Sequence, residues 1–134
     1  NTGHDGSMTT VHANTSRDAI TRIENMVQMG QMGLPILAVR GQIKSAIDII
    51  VHVERQRDGG RRLTQITEIC GMEGDTIILR DIFKFVVTGE TADGKLIGKY
   101  EVSTLPLAER QRNRLQYYNL EAEWQSLFDT GNSR

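Results

Sequence analysis

Two histidines, His4 and His12, stand eight positions apart near the beginning of the sequence. Imidazole nitrogens bind metal ions, transfer protons and donate hydrogen bonds to anionic oxygens. On one continuous strand the two rings would lie about 26 Å apart, which is too far to share an ion. A turn at Asp5-Gly6 could bring them together, but no cysteine or third histidine lies nearby to complete a site. The sequence therefore predicts no metal site here.

The two histidines belong to a longer pattern: Thr-Gly-His at residues 2–4, seven further residues, and His-Ala-Asn at residues 12–14, directly before a capped helix. This pattern resembles the histidine box of the secretion ATPases. These proteins are RecA-like hexameric motors of type II and type IV secretion and of pilus assembly. For an isolated pair, a structural interpretation would be better, with His4 capping a turn and His12 held at the end of a strand.

Further motifs follow along the chain. They are Arg17-Asp18-Ala19, Arg22-Ile23-Glu24, the run from Gln42 to Val51, Arg57-Asp58-Gly59, Glu68, and Gly71-Met72-Glu73-Gly74-Asp75. These motifs are similar to the subgroup of these ATPases that assembles Flp-type (tight-adherence, Flp/Tad) pili. The resemblance is colinear over residues 1 to 102 and weakens in the C-terminal tail.

The resemblance implies that His4 and His12 are catalytic side chains that face the γ-phosphate region of bound ATP. Imidazole can donate a hydrogen bond to a phosphate oxygen or to an attacking water. Such a contact exists with ATP and is lost with ADP, so it can report hydrolysis to the rest of a motor. Thr2 and Thr10 could orient the two rings, and Gly3 permits a close backbone approach to the nucleotide.

The resemblance also implies a parent protein that hydrolyses ATP with Mg²⁺ as a homohexamer. It would act on an inner-membrane platform protein, at the cytoplasmic face of that membrane, to export or assemble pilin-like substrates. Arg17 and Arg22 would contact a neighbouring subunit, although solvated or ion-paired arginines on helices are commoner. Two alternatives stay open: a motor of type IV conjugation or type II secretion, and a non-catalytic oligomerisation or interaction domain.

A second motif, Gly89 to Lys95, matches the first seven positions of a phosphate-binding loop. Leu96 then occupies the place of the Ser or Thr that contacts magnesium. Asp93-Gly94 predicts a hairpin turn with a strand after it, where a phosphate-binding loop has a helix. We interpret this match as a coincidence. Because no other stretch offers such a loop, the chain alone is expected to bind nucleotide weakly and to be inactive.

Composition favours a globular protein over a disordered tail. The 134 residues are 38% hydrophobic and carry 16 Lys and Arg against 17 Asp and Glu. This balance gives no basic excess that would predict nucleic-acid binding. No apolar run approaches the roughly 20 residues that cross a bilayer. The lone Cys70 fits a reducing cytoplasm, and the absence of an initiator Met suggests an excised piece.

The pattern of apolar residues and breakers predicts an α/β fold, which the resemblance identifies as the C-terminal part of a RecA-like P-loop ATPase domain. We expect a single domain over residues 1–134. Residues 1–56 would hold the histidine box with a strand over 7–13, two helices and a strand over 49–54 covered on both faces. Residues 57–104 would form antiparallel β-hairpins, and residues 105–134 a helical tail.

Local signals set the boundaries of these elements. Thr15 and Asp18 predict a capping box at the start of the first helix, and Gly30 and Gly33 predict its end. His52 is interpreted as a structural residue on its strand. Three turn signals, Asp58-Gly59-Gly60, Glu73-Gly74-Asp75 and Asp93-Gly94, separate β-rich runs at 62–70, 76–87 and 96–102, with a bend at Arg80-Asp81. The expected tail anchors are Leu115, Tyr118, Trp124, Leu127 and Phe128.

Overall fold

The computed structural model describes residues 6–30 and 33–129. Over these ranges it contains a four-stranded antiparallel sheet, in the order β1-β2-β3-β4, and four helices. The predicted α/β fold with antiparallel hairpins and a helical tail is confirmed. The elements are α1 (Ser16–Gly30), α2 (Ile36–Ala46), β1 (Ile49–Arg55), β2 (Arg61–Glu73), β3 (Thr76–Glu90), β4 (Leu96–Val102), α3 (Glu109–Tyr117) and α4 (Glu121–Asp129).

The three predicted turns lie between consecutive strands, as expected. Gly59 and Gly94 adopt φ values of 79° and 80°, a left-handed backbone conformation that side chains with a Cβ rarely tolerate. In the β2–β3 pair, Ile66 lies opposite Phe83 and the next residue, Thr67, lies opposite Asp81. One residue of β3 is therefore extra at this point, which confirms the bend predicted beside Asp81.

Helices α1 and α2 pack on one face of the sheet. The core between them consists of Ile20, Val39 and Ile43 from the helices and Ile69 and Ile77 from the sheet. All five side chains are at most 4% exposed. Burial of each stabilises the fold by about 1.5–3 kcal/mol relative to exposure. The predicted capping residue is also confirmed, because the Asp18 N–H donates to Thr15 Oγ1 at 3.0 Å.

The C-terminal tail packs on the opposite face. Glu68 precedes Ile69 on β2, so its side chain points away from α1 and α2. Glu68 is fully buried, and its Oε2 accepts from the backbone N–H of Ala108, which leads into α3.

The anchors of the tail differ from those predicted. Of the predicted anchors, Leu115 and Trp124 are half-buried, whereas Tyr118 and Leu127 are 56% and 59% exposed. Leu107 and Gln111, which were not predicted, are buried. Arg110 donates to the carbonyl oxygens of Lys44 and Ser45, at 2.7 Å each, at the end of α2. The tail is thus held by polar contacts as well as apolar ones, and a search for apolar spacing does not find the polar ones. The side chain of the remaining predicted anchor, Phe128, lies outside the described residues.

Three further predictions are wrong. Residues 7–13 form no strand, because in the described structure they pair with no neighbouring strand, and β-propensity alone does not make one. β1 is not covered on both faces: it lies at the edge of the sheet, and Ile49, Val51 and Val53 are 46%, 56% and 59% exposed. Met26, expected on the apolar face of α1, is 50% exposed.

No helix in the described ranges is both long enough and apolar enough to span a membrane.

Candidate functional site

The described part of the candidate site is the segment that leads into α1. We call residues 10–15 the histidine loop. Thr10 and His12 both lie in it with exposed side chains. Thr2, Gly3 and His4 fall outside the described residues, so the pairing of His4 with His12 stays a prediction.

The backbone of the histidine loop is held by His52 of β1. Its Nε2 lies 3.2 Å from the carbonyl oxygen of Ala13, and its Nδ1 lies 3.0 Å from Thr64 Oγ1. A carbonyl oxygen can only accept, so Nε2 must carry the hydrogen and donate it. His52 is thus a partner of the histidine loop, a role that sequence reasoning missed because 39 residues separate His52 from Ala13.

A second group of polar side chains holds the first residue of α1. The Ser16 hydroxyl donates to Gln65 Oε1 at 3.0 Å, and Thr67 Oγ1 lies 3.0 Å from Ser16 Oγ. Asp81 Oδ1 accepts from the Gln65 amide at 2.6 Å and from the Thr67 hydroxyl at 2.9 Å. Ser16 and Thr67 are 2% and 1% exposed. Buried hydroxyls of this kind are costly unless paired, and here both are.

The side chains of the sheet that make these contacts are His52, Thr64, Gln65, Thr67 and Asp81, and we call them the polar cradle. It is continuous because its members are neighbours in the strand register: His52 lies opposite Gln65, and Thr67 lies opposite Asp81. The polar cradle forms hydrogen bonds with the chain at Ala13 and at Ser16, while the imidazole of His12 remains exposed. An exposed imidazole on an anchored backbone can donate a hydrogen bond to a ligand without first ordering its own main chain.

The two arginines predicted at a subunit contact differ in their surroundings. Arg17 Nη1 donates to the carbonyl oxygen of Ile77 at 2.6 Å, which ties α1 to β3 within the chain. Arg22 is exposed on α1. Their contact with a neighbouring subunit stays a prediction.

The apparent phosphate-binding motif, residues 89–95, forms a hairpin turn, as predicted. The Gly94 N–H donates to the Thr91 carbonyl at 2.9 Å, and the turn joins the end of β3 to the start of β4. A strand follows it where a phosphate-binding loop has a helix, so the match is a coincidence of sequence. Among the described residues, no three His, Cys, Asp or Glu side chains are grouped to hold a metal ion.

Residues 1–60, which include the histidine loop and β1, match the family described as Type II/IV secretion system protein. A Mycobacterium tuberculosis protein named for conjugal transfer is 39% identical over 74 residues, which is 55% of this chain and 20% of that protein. The conjugal transfer protein TrbB of Rhizobium radiobacter is 37% identical over 71 residues, 53% of this chain and 20% of that protein. The matched part therefore spans about a fifth of each relative. These similarities support the type II/IV secretion ATPase family.

Proposed function

We propose that this chain is the C-terminal part of the ATPase domain of a Flp/Tad-type secretion and pilus-assembly motor. The family match over residues 1–60 supports the motor. The colinear motifs up to residue 102 favour the Flp/Tad subgroup. In such a parent the α/β fold would complete a RecA-like ATPase domain, and a homohexamer would act on an inner-membrane platform protein at its cytoplasmic face.

The observation that carries the proposal is the state of the histidine loop. Its backbone is anchored at Ala13 and Ser16, yet the ring of His12 is exposed. This arrangement suits a side chain that contacts a ligand supplied from outside the described residues. His12 would donate a hydrogen bond to an anionic oxygen of the terminal phosphate or position a water beside it. Thr10, exposed two residues earlier, would orient the ring.

The described residues could contact the terminal phosphate of a nucleotide, but they do not offer enough donors to bind its whole phosphate chain. His12 offers a donor, whereas the only sequence match to a phosphate-binding loop in the chain is a hairpin turn. ATP with Mg²⁺ would supply the phosphoanhydride bond that is broken. Residues of the parent beyond this chain would hold most of the phosphates, with His4, Thr2 and Gly3 beside His12. The chain alone is thus expected to be inactive.

A motor of type IV conjugation is the second candidate. It is favoured by the names of the relatives, which assign them to conjugal transfer. The role proposed for His12 is the same in both motors, so the kinetics of its variants do not distinguish the two candidates.

The test is ATP hydrolysis by the complete ATPase that contains this chain. His12→Ala and His4→Ala should each lower kcat roughly ten- to hundredfold, because each removes one donor at the reacting phosphate. Assembly, followed by size-exclusion chromatography with light scattering, should be unchanged. Lys95→Ala, an exposed change in the β3–β4 turn, should leave kcat unaltered. Unchanged turnover in both histidine variants would contradict the proposed role.

A further inference from the structure

We infer that His52 is the positioning residue of the candidate site: its Nε2–H holds the Ala13 carbonyl and thereby fixes the position from which His12 reaches its ligand. The inference rests on the proposed function of His12. His52 does not itself contact the nucleotide in this arrangement, and it acts only through the backbone of the histidine loop.

The hydrogen-bond partners fix the tautomer of His52. Ala13 O is an acceptor, so Nε2 is the protonated nitrogen, and in the neutral ring Nδ1 must accept from the Thr64 hydroxyl. If the ring gains a second proton, Nδ1 donates to Thr64 Oγ1 instead. The Thr64 hydroxyl then still has an acceptor, the His52 carbonyl oxygen at 3.4 Å. The contact with Ala13 persists in both charge states, which suits a permanent support.

Proximity makes this contact relevant to His12. The Ala13 carbonyl is one residue from His12, and Ser16, held by Gln65, is three residues further on. Between Ala13 and Ser16 the chain turns into α1, and the Asp18 N–H donates to Thr15 Oγ1 there. Among the described residues, loss of the hydrogen bond at Ala13 would leave segment 7–12, which is exposed except for the half-buried Val11, attached through the start of α1.

The pairing of β1 with β2 holds the backbone of His52 in place. β1 pairs with β2 along its whole length, and His52 lies directly opposite Gln65, the residue that contacts Ser16. The hydrogen bonds that hold Ala13 and Ser16 therefore come from His52 and Gln65, which lie opposite each other on β1 and β2. A register irregularity follows His52, where Val53 lies opposite Leu63, so Thr64 is the extra residue of β2. This bulge places the Thr64 hydroxyl against Nδ1.

The experiment compares His52→Leu with His52→Gln in the complete ATPase. Leucine removes the donor, whereas the glutamine amide can place an N–H near the position of Nε2. Loss of one hydrogen bond of ordinary strength predicts that His52→Leu lowers kcat about three- to tenfold, with KM changed less than about twofold. His52→Gln should recover most of the loss. Thr64→Val, which frees the ring to rotate, should lower kcat about threefold, and Thr64→Ser should restore it.

A second readout uses the 134-residue chain. Hydrogen exchange at the Asp18 amide, whose N–H donates to Thr15 Oγ1 in the turn that follows Ala13, should become about tenfold faster in His52→Leu and stay near wild type in His52→Gln. Exchange at Val39 in the core of α2 should not change. Should His52→Leu fail to fold, Thr64→Val decides, and an unaltered kcat in Thr64→Val would then overturn the inference.

The remaining outcomes separate the inference from the proposed function. If His12→Ala lowers kcat and His52→Leu does not, the inference is wrong and the role of His12 stands. If neither lowers kcat, the proposed function fails as well. Equal losses in His52→Leu and His52→Gln would overturn the inference, since the effect would then not come from the donated hydrogen bond.

Discussion

Asp58, in the turn between β1 and β2, accepts a hydrogen bond from the backbone N–H of Leu96, the first residue of β4, at 3.0 Å. The same carboxylate takes two hydrogen bonds from Arg62, at 2.9 and 2.8 Å. Beside it, Arg57 forms an ion pair with Glu90 at the end of β3. The tips of the two hairpins are therefore joined, although β1 and β4 are at opposite edges of the sheet.

Replacement of Asp58 should destabilise the chain in a pH-dependent way. Hydrogen bonds from Arg62 and from the Leu96 and Gly60 N–H groups hold the pKa of Asp58 well below its ordinary value of 3.8. A carboxylate whose pKa is lowered by folding stabilises the folded state at pH values above the pKa that it has in the unfolded chain. That stabilisation is lost as the pH falls towards the pKa that it has in the folded chain. Urea midpoints should be lower in Asp58→Asn than in the wild type at pH 7, and the difference should shrink below about pH 4.

The matched control is Asp75→Asn, because the side chain of Asp75 is 72% exposed and its ion pair with Arg40 is long, at 3.6 Å. Its effect on the free energy of unfolding should stay within about 0.5 kcal/mol at every pH. A difference for Asp58→Asn that grew on acidification would contradict the assignment.

Gly98 of β4 should not tolerate a side chain. A Cβ at this position would lie 2.4 Å from Phe85 Cζ and 2.6 Å from the Val86 carbonyl oxygen. Gly98→Ala should lower the free energy of unfolding by about 2–3 kcal/mol. Gly89→Ala, on the neighbouring strand, meets nothing within 4 Å and should change it by less than about 0.5 kcal/mol. Equal urea midpoints for the two variants would refute the packing argument.

The Glu68–Arg80 ion pair should be necessary for docking of the tail. Glu68 is fully buried, accepts from Ala108 and pairs with Arg80, which itself donates to the Pro106 carbonyl. Glu68→Ala should cost about 3 kcal/mol in unfolding free energy, since it leaves the Arg80 charge without its partner. Glu90→Gln, which breaks the exposed pair with Arg57, should cost less than about 1 kcal/mol. A loss for Glu68→Ala no larger than this would show that the buried pair does not hold the tail.

The position of α3 should depend on Arg110 in particular. Arg110 contacts two carbonyl oxygens at the end of α2 and the carboxylate of Asp48, whereas the side chain of Arg112 on the same helix is exposed. Arg110→Gln should therefore speed hydrogen exchange in α3 about tenfold, and Arg112→Gln should leave it unchanged. Mass spectrometry of residues 109–117 gives the measurement. Similar rates in both variants would contradict this role for Arg110.

Most of the sheet could be predicted from the sequence because its boundaries are set by local chemistry. Asp58-Gly59-Gly60 and Asp93-Gly94 favour turn geometry whatever surrounds them, so the sequence predicts a strand at 96–102, where β4 lies. The same holds for the helix that Thr15 caps. These signals act within a few residues, where the sequence contains all the interacting groups.

The contacts that define the candidate site could not be predicted in this way. His52 meets Ala13, and Ser16 meets Thr67, only because the sheet brings together residues 39 and 51 positions apart. The alternation of β1 shows that His52 faces the same side as Ile50 and does not show what lies above it. The strand expected over 7–13 was wrong for a related reason: a strand is defined by its partner, and propensity does not supply one.

The joined hairpin tips connect the two halves of the sheet by side-chain contacts as well as by strand pairing. β3 pairs with both β2 and β4, and the contacts of Asp58 and Arg57 close the open end between the two hairpins. Ala13 is thus connected to β4 by contacts that run through His52, β1 and the turn at Asp58. The ends of the two hairpins therefore cannot separate unless the side-chain contacts of Asp58 and Arg57 break.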